Sequence, residues 1–450
     1  MKNNGKINNN NKKHCKNNGN CSQCDGCPKG AFYKPRSDVN YIKPQTSISA
    51  SSYNPNNVNN NEPFIDFKAL YKIVMRLGVK TKIKRFFNSG KNGSILIIKR
   101  DGIGDFILFQ NAFKKLKEFY KDKKFVICVT NYTQPLAEAS GLFDEVIALS
   151  KNDFTVDNIY KTYKLLSKYK FDILLHPTQP RNIESEVIAY LVNAKRKIAS
   201  RGELGAHSKK LKAKFDTIYD ELIETGNENM TLIQTANFVR GLGCTDFKIS
   251  MPKLTPVVDF KMYLPKNFFV LFMGGSIYNK LWPAERFYQV AKYIIEKTGY
   301  ECVICGTKED LGELEEFKSQ GDLKFYSLIG KTSLLELISI ISKSKFVVSN
   351  DTCSVHIANA LGVRSVAVTG QFSGGKFYPY VVEQENEGDI YPICVQIQTH
   401  CKWCTLKGKA YHCIGGDYFA HRKLKCVMGI KTEQVIEAVD NLLNNIETAK

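Results

Sequence analysis

The stretch Ser94–Phe119, SILIIKRDGIGDFILFQNAFKKLKEF, places a carboxylate where chemistry could occur. An apolar run that predicts a buried strand leads into Gly102 and Gly104, and Asp105 then opens a helix. Strand, glycine and helix in this order are typical of a phosphate-binding turn, because helix N-termini present free N–H groups. However, the third glycine is absent, and Asp101 and Asp105 put negative charge where a pyrophosphate would sit. We therefore predict that Asp105 serves as a general base, with a helix N-cap as the equal alternative.

A second loop, MGGSIYNKLWPAERF, combines small residues with a cation. Gly275 and Ser276 follow the end of a predicted strand, and Pro283 begins the next helix. Small residues let backbone N–H groups approach phosphate oxygens, and Lys280 supplies positive charge. The pattern favours a diphosphate site, and a solvated loop lysine is the alternative.

Two further strand ends carry polar residues. In CGTKED, Asp310 could accept both hydroxyls of a ribose, and a helix cap is the competing interpretation. In VVSNDTCSVHIANALG, a helix opens behind Asp351 and Thr352, and its N-terminus could hold phosphate. Asp351 could bind sugar hydroxyls, while His356 lies one turn into the helix. Taken singly, Asp351 could be a helix cap and His356 a core histidine. Their occurrence together after a predicted strand favours a binding site.

Strands and helices alternate from residue 94 onwards and again after an extended, proline-containing stretch. The alternation predicts parallel sheets covered on both faces, in an N-terminal domain over 94–255 and a C-terminal domain over 256–430. A last helix is predicted in 431–450, and it could cross back to the first domain. Ligands of such sheets bind at the carboxyl ends of the strands, so the four loops should line one cleft.

Charge and composition bound the remaining functions. Hydrophobic residues make up 43% of 450 residues, enough for two cores, and nearly all of the net charge of +20 lies in residues 1–61, 62–93 and 400–431. Basic flanks of this kind indicate docking to an anionic membrane or to nucleic acid. No apolar run reaches the ~18 residues of a membrane span. The polar N-terminus lacks a secretory signal, so we expect a soluble or peripheral cytosolic protein.

The N-terminal residues do not resemble a packed domain. Residues 1–62 are rich in Asn and Lys and predict disorder, with a cysteine cluster (Cys15, Cys21, Cys24, Cys27) that hints at a metal site. Residues 63–93 predict a basic amphipathic helix and a linker. The helix could lie on an anionic membrane or pack on its own domain, and the pattern does not separate the two.

A second cysteine group lies in the segment 394–426. Its members, Cys401, Cys404, Cys413 and Cys426, have a spacing that could hold one structural zinc ion, and free thiols are the equal alternative.

The motifs together resemble a known family. ILIIKRDGIGDFILFQNAFKKLK, FMGGSIYNKLWPAERF, LIGKTSLLELISIISKSKFVVSNDTCSVHIANALG and KCVMGIKTEQVIEAV occur in this order over residues 94–445. They are similar to glycosyltransferase family 9, the heptosyltransferases of bacterial lipopolysaccharide assembly. The resemblance implies a GT-B fold, a nucleotide-sugar donor (typically ADP-heptose), and inversion at the anomeric carbon with no metal or other cofactor required for catalysis.

The resemblance also implies roles for individual residues and partners. Asp105 matches the catalytic base, and the donor-binding positions are Gly275, Ser276, Lys280, Asp310, Asp351, Thr352 and His356. The implied acceptor is an anionic glycolipid or glycan at the cytoplasmic face of the inner membrane. A non-catalytic sugar-nucleotide or glycan-binding module on the same fold is the alternative. A nucleic-acid-binding protein is disfavoured, because the basic flanks carry no aromatic-basic recognition motif.

Overall fold

The structure is a computed structural model that describes residues 72–79, 81, 93–202, 209–226, 229–371, 373–397 and 423–447. Within these residues the chain forms two α/β domains, each built on a parallel six-stranded sheet. A short helix, α1 (72–79), precedes them. The predicted fold class, two facing Rossmann-like domains of the GT-B type, is confirmed. The disorder predicted for residues 1–62 lies outside the described residues.

The first domain has the sheet order β3-β2-β1-β4-β5-β6. Its elements are β1 (Ser94–Ile98), α2 (Ile103–Leu108), α3 (Gln110–Phe119), β2 (Lys124–Val129), α4 (Gln134–Ala139), β3 (Glu145–Ala148), a 3-10 helix (Lys151–Phe154), α5 (Ile159–Leu166), β4 (Lys170–His176), α6 (Ile183–Leu191), β5 (Asn193–Ser200), α7 (Lys209–Asp216), β6 (Glu221–Ile223) and α8 (Thr231–Gly241). Strand order reverses between β1 and β4, which opens a crevice at their carboxyl ends.

The second domain repeats this topology as β12-β11-β10-β7-β8-β9. Its elements are β7 (Phe268–Phe272), a 3-10 helix (Tyr278–Lys280), α9 (Ala284–Thr298), β8 (Glu301–Ile304), a 3-10 helix (Lys308–Asp310), α10 (Leu311–Lys318), β9 (Phe325–Ser327), α11 (Leu334–Lys343), β10 (Val347–Asn350), α12 (Cys353–Ala360), β11 (Ser365–Val368), β12 (Ile393–Val395), α13 (Lys425–Met428) and α14 (Thr432–Glu447). The corresponding crevice lies between β7 and β10.

The central strands of the two sheets, such as β1 and β7, are largely apolar and buried because both faces of each sheet are covered. In β1, Ile95 and Ile97 belong to the core cluster that also contains residues of α2 and α3, whereas Leu96 and Ile98 belong to a separate cluster on the opposite face. All four side chains are fully buried. Strand β1 is therefore fixed from both sides, which gives the loop after it a rigid base.

The C-terminal helix differs from one expectation. A return of this helix to the first domain was one option, but α14 packs on the second domain instead. Its apolar side chains Val435, Val439 and Leu442 share a core cluster with β7 and α9, and Tyr293 Oη of α9 donates to Asp440 Oδ1 at 2.7 Å. The apolar face of α14 is thus covered by the domain that precedes it in the chain.

Helix α1 packs on the first domain, one of the two options for the basic amphipathic segment. Val74 and Leu77 are buried in the core cluster that contains α6, and the ring of Tyr190 lies against Gly78. Lys72 and Arg76 are exposed on the other side. The described part of the apolar face is thus covered by protein, while the cationic face is open to solvent. None of the helices in the described ranges is long and apolar enough to span a membrane.

Candidate active site

Helix α2 carries Asp105 at the carboxyl edge of the first sheet. The helix begins after Gly102, and Asp105 lies half-buried in its first turn. No side-chain hydrogen bond caps this helix, so Asp105 is not the N-cap that was the alternative interpretation.

Helix α2 meets helix α12 of the second domain at one close contact. A Cβ atom on Gly104 would lie 2.5 Å from Cδ2 of His356 and 3.1 Å from Nε2, closer than side chains normally approach. Only glycine fits at this point without displacement of the imidazole. The contact brings Asp105, the next residue, to the helix that opens behind Asp351 and Thr352.

His356 is enclosed by aromatic side chains. Tyr380 Oη lies 2.5 Å from its Nδ1 and Tyr378 Oη lies 3.3 Å from its Nε2. The Tyr378 ring stacks on the imidazole at 5.3 Å between centroids and 8° between planes, and Phe377 meets it edge-on. Burial, opposed by the charges of Asp351 and Asp105, lowers the pKa of His356 to about 4. The imidazole is therefore neutral near pH 7.

Lys280 lies beside Asp351 at the carboxyl edge of the second sheet. Lys280 Nζ is 3.1 Å from Asp351 Oδ2 and 3.3 Å from Ser373 Oγ, and Ser373 also donates to Asp351. Burial raises the pKa of Asp351, but Lys280 and the Ser373 hydrogen bond outweigh it, so the net pKa is lowered. The three residues form a compact polar cluster, in which the lowered pKa keeps Asp351 ionised at neutral pH.

Asn350 holds the lysine loop in place. Its Oδ1 accepts from the backbone N–H of Trp282 at 3.0 Å, and its Nδ2 donates to the carbonyl of Met273. Both ends of the loop are thus tied to the last residue of β10, and Asp351 is the next residue in the chain. The position of Lys280 beside Asp351 follows from this buried amide.

The remaining predicted donor residues lie around this cluster in different ways. Gly275 approaches Thr352 so closely that an added Cβ would lie 3.0 Å from its Cγ2, and Ser276 is exposed. Asp310 is buried and forms a capping box, accepting from Thr307 N at 2.7 Å and from Thr307 Oγ1 at 3.1 Å. These contacts of Asp310 are thus those of a helix cap. In addition, Gly274 packs directly against its carboxylate.

One polar residue of the site was not singled out from the sequence as functional. Asp101 follows β1 and pairs with the buried Lys99, while Thr178 Oγ1 lies 3.5 Å from its Oδ2. Its Oδ1 has no hydrogen-bond partner among the described residues. Burial raises the pKa of Asp101 to about 6, against the opposing effect of Lys99 and with a further contribution from Asp105. A second carboxylate thus lies in the segment that leads into α2, and the DxxxD spacing was the signal for it.

The zinc hypothesis concerns residues that lie mostly outside the described part. Cys401, Cys404 and Cys413 are outside it, as are the four cysteines of the N-terminal tail. Cys426 is described and is buried in the core of the second domain, at the start of α13. The zinc site stays a prediction.

The arrangement defines a class of protein. Two doubly wound domains meet at the carboxyl edges of their sheets, with a carboxylate on one side and a cation beside a helix N-terminus on the other. This geometry is that of a GT-B enzyme, in which a base on one domain can face an activated donor on the other.

Comparisons with known proteins agree with this class. The family model described as glycosyltransferase family 9 (heptosyltransferase) matches residues 159–403, more than half of the chain. Lipopolysaccharide heptosyltransferase 1 of Campylobacter coli is 23% identical over 305 residues, which cover 61% of this chain and 83% of the relative. The chain belongs to glycosyltransferase family 9 and is a glycosyltransferase.

Solved structures of the family share the fold. The family 9 glycosyltransferase from Veillonella parvula DSM 2008 matches with a TM-score of 0.59 at 19% identity, covering 79% of this chain and 98% of that one. The E. coli ADP-heptose lps heptosyltransferase II matches with a TM-score of 0.57 at 18% identity, covering 79% of this chain and 99% of that one. The matched shares include both domains.

Proposed function

We propose that this enzyme transfers a heptose from ADP-heptose to a hydroxyl of a lipopolysaccharide or related cell-surface glycan, with inversion and without a catalytic metal. The relatives named above, a lipopolysaccharide heptosyltransferase and an ADP-heptose lps heptosyltransferase, support this donor and acceptor. The observation that carries the proposal is the meeting of α2 and α12, which puts Asp105 next to the helix that begins behind Asp351.

The reaction is a single displacement. Asp105 accepts the proton of the acceptor hydroxyl, and the acceptor oxygen forms a bond to the anomeric carbon from the face opposite the diphosphate. The bond from the anomeric carbon to the diphosphate oxygen breaks, and its electron pair leaves with ADP. Inversion follows because the attacking and leaving oxygens lie on opposite faces of the sugar.

Without a metal ion, the leaving diphosphate requires positive charge from the protein. Lys280 and the N-terminus of α12 supply it, because both lie at the carboxyl edge of the second sheet. Asp351, which remains ionised, is suited to accept hydrogen bonds from hydroxyl groups of the sugar.

Direct transfer tests the proposal. The purified chain is incubated with ADP-heptose and a heptose-deficient lipopolysaccharide core, and both ADP release and the mass of the glycan are measured. We expect ADP to appear together with a glycan heavier by one heptose, in equal amounts. UDP-glucose serves as the control donor. If ADP-heptose is neither consumed nor stabilises the protein against thermal unfolding, while UDP-glucose is transferred, the donor assignment is wrong.

We further propose that the enzyme docks peripherally at the cytoplasmic face of the inner membrane, where a lipid-linked acceptor would be found. The cationic face of α1, with Lys72 and Arg76 exposed, supports electrostatic docking that does not need the covered apolar face.

Vesicle co-sedimentation tests this docking. We expect binding to vesicles that contain phosphatidylglycerol, weaker binding as salt is raised, and none to phosphatidylcholine alone. Charge reversal, Lys72→Glu with Arg76→Glu, should weaken the binding, whereas Lys292→Glu on an exposed position of α9 serves as the matched control. Equal binding to both kinds of vesicle would refute electrostatic docking.

A further inference from the structure

We propose that His356 is a positioning residue of the transfer reaction, a spacer whose imidazole holds helix α2, and with it Asp105, at a set distance from the donor end of α12. The inference rests on the proposed function, because the distance it concerns is that between the base and the sugar donor. It also gives His356 a different role from the donor contact that the family resemblance implied.

The first observation is the contact between the two helices. Gly104 does not have a positive φ and lies inside a regular helix, so its backbone would accept any L-residue. What excludes a side chain is the imidazole, whose Cδ2 would lie 2.5 Å from a Cβ atom on Gly104. The position of the His356 ring therefore limits how closely the helix that carries Asp105 approaches α12 at this point.

The second observation is that the ring is held rigidly. Tyr380 and Tyr378 place their hydroxyls on the two nitrogens, and the Tyr378 ring stacks on the imidazole. His356 is 4% exposed, and burial lowers its pKa to about 4. Both nitrogens are engaged by tyrosines and the ring is neutral, so His356 offers shape and stiffness rather than charge to a diphosphate.

As a consequence, turnover should depend strictly on the volume of the side chains at this contact. A displacement of about 1 Å between reacting groups can lower a rate on the order of a hundredfold. A change in the side chains at this contact should therefore lower kcat, while the donor pocket, built from Lys280 and Asp351, keeps its affinity for ADP.

A double-mutant cycle tests the spacer. Gly104→Ala adds one methyl group at the contact, and we expect kcat with ADP-heptose to fall roughly a hundredfold with less than a threefold change in the Kd of ADP. His356→Ala removes the ring, and the combined Gly104→Ala/His356→Ala variant should lose less than the product of the two single losses, because the methyl group then has room. Gly312→Ala, where an added Cβ meets nothing within 4 Å, is the control for the glycine substitution.

A second readout does not depend on activity. In a histidine 1H–13C NMR spectrum, the signal of His356 is identified by its loss in His356→Ala. We expect this signal to shift in Gly104→Ala and to stay in place in Gly312→Ala. If wild-type protein consumes no ADP-heptose, the proposed function fails, and the spectrum alone then decides whether the contact exists.

Several outcomes would overturn the spacer. A His356→Ala variant that loses ADP affinity tenfold or more would make His356 a donor contact. Strictly multiplicative losses in the cycle would mean that Gly104 and His356 act independently, and an unmoved NMR signal in Gly104→Ala would mean that they do not touch.

Discussion

Asp105→Asn is expected to lower kcat by about 10²- to 10⁴-fold, because an amide cannot accept the proton of the acceptor hydroxyl. The substitution keeps the shape of the side chain, and the interaction of the Asp105 carboxylate with the N-terminus of α2 contributes about 0.3–1 kcal/mol. The affinity for ADP should be unchanged, since the proposed donor site around Lys280 and Asp351 belongs to the second domain. Initial rates of ADP release at saturating ADP-heptose, with a calorimetric titration of ADP, measure both quantities.

Asp101→Asn is the matched control, since Asp101 is a second carboxylate four residues earlier, in the turn that precedes α2. One oxygen of Asp101 is engaged by Lys99 and Thr178, and the other is buried, so it is poorly placed to accept a proton from an incoming hydroxyl. We expect a smaller loss of kcat than in Asp105→Asn. The reverse order of the two losses would transfer the role of base to Asp101.

Lys280→Met is expected to weaken ADP binding by about ten- to a hundredfold, because a charge-assisted hydrogen bond contributes about 1.5–3 kcal/mol. It should also destabilise the fold, since Asp351, with 5% of its side chain exposed, would lose the ammonium group beside it. Removing one partner of a buried ion pair costs on the order of 3 kcal/mol, and solvent reaching Lys280 should reduce this value. Urea unfolding and calorimetric titration of ADP measure the two effects separately.

The two effects of Lys280→Met can be divided by a second substitution. Lys280→Met/Asp351→Asn removes both charges, and we expect it to recover much of the lost stability while ADP binding stays weak. Recovery of ADP binding in the double variant would show that Lys280 acts only by neutralising Asp351. The proposed contact between Lys280 and the diphosphate would then be wrong.

Much of the fold could be predicted from local patterns. Apolar runs such as Ile95–Ile98 alternate with helices of mixed character, and this alternation is sufficient for a doubly wound fold. Strand β5 (Asn193–Ser200) lacks such an apolar run, because the cations Lys195, Arg196 and Lys197 interrupt it, so the local pattern does not predict this strand. In the structure, Lys197 is buried and its Nζ donates to the carbonyl of Ala189, a contact that no local pattern reveals.

The candidate site was predictable where its signal is local. Asp105 in the first turn of a helix after a buried strand, and the small residues around Lys280, can be read from neighbouring letters. The capping box of Thr307 and Asp310 is equally local, since the two residues are three positions apart. For the same reason, the spacing left both a cap and a ribose contact open for Asp310.

By itself, the sequence determined most of the elements, the two-domain class, and which residues could supply a base and a cation. These properties depend on hydrophobic periodicity and on residues a few positions apart, whose proximity is guaranteed by the chain. Only the tertiary structure decided that Ser373 joins Lys280 and Asp351, and that His356 lies against Gly104. These partners are brought together by the packing of two sheets and their crossing helices, and covalent connectivity places no constraint on such contacts.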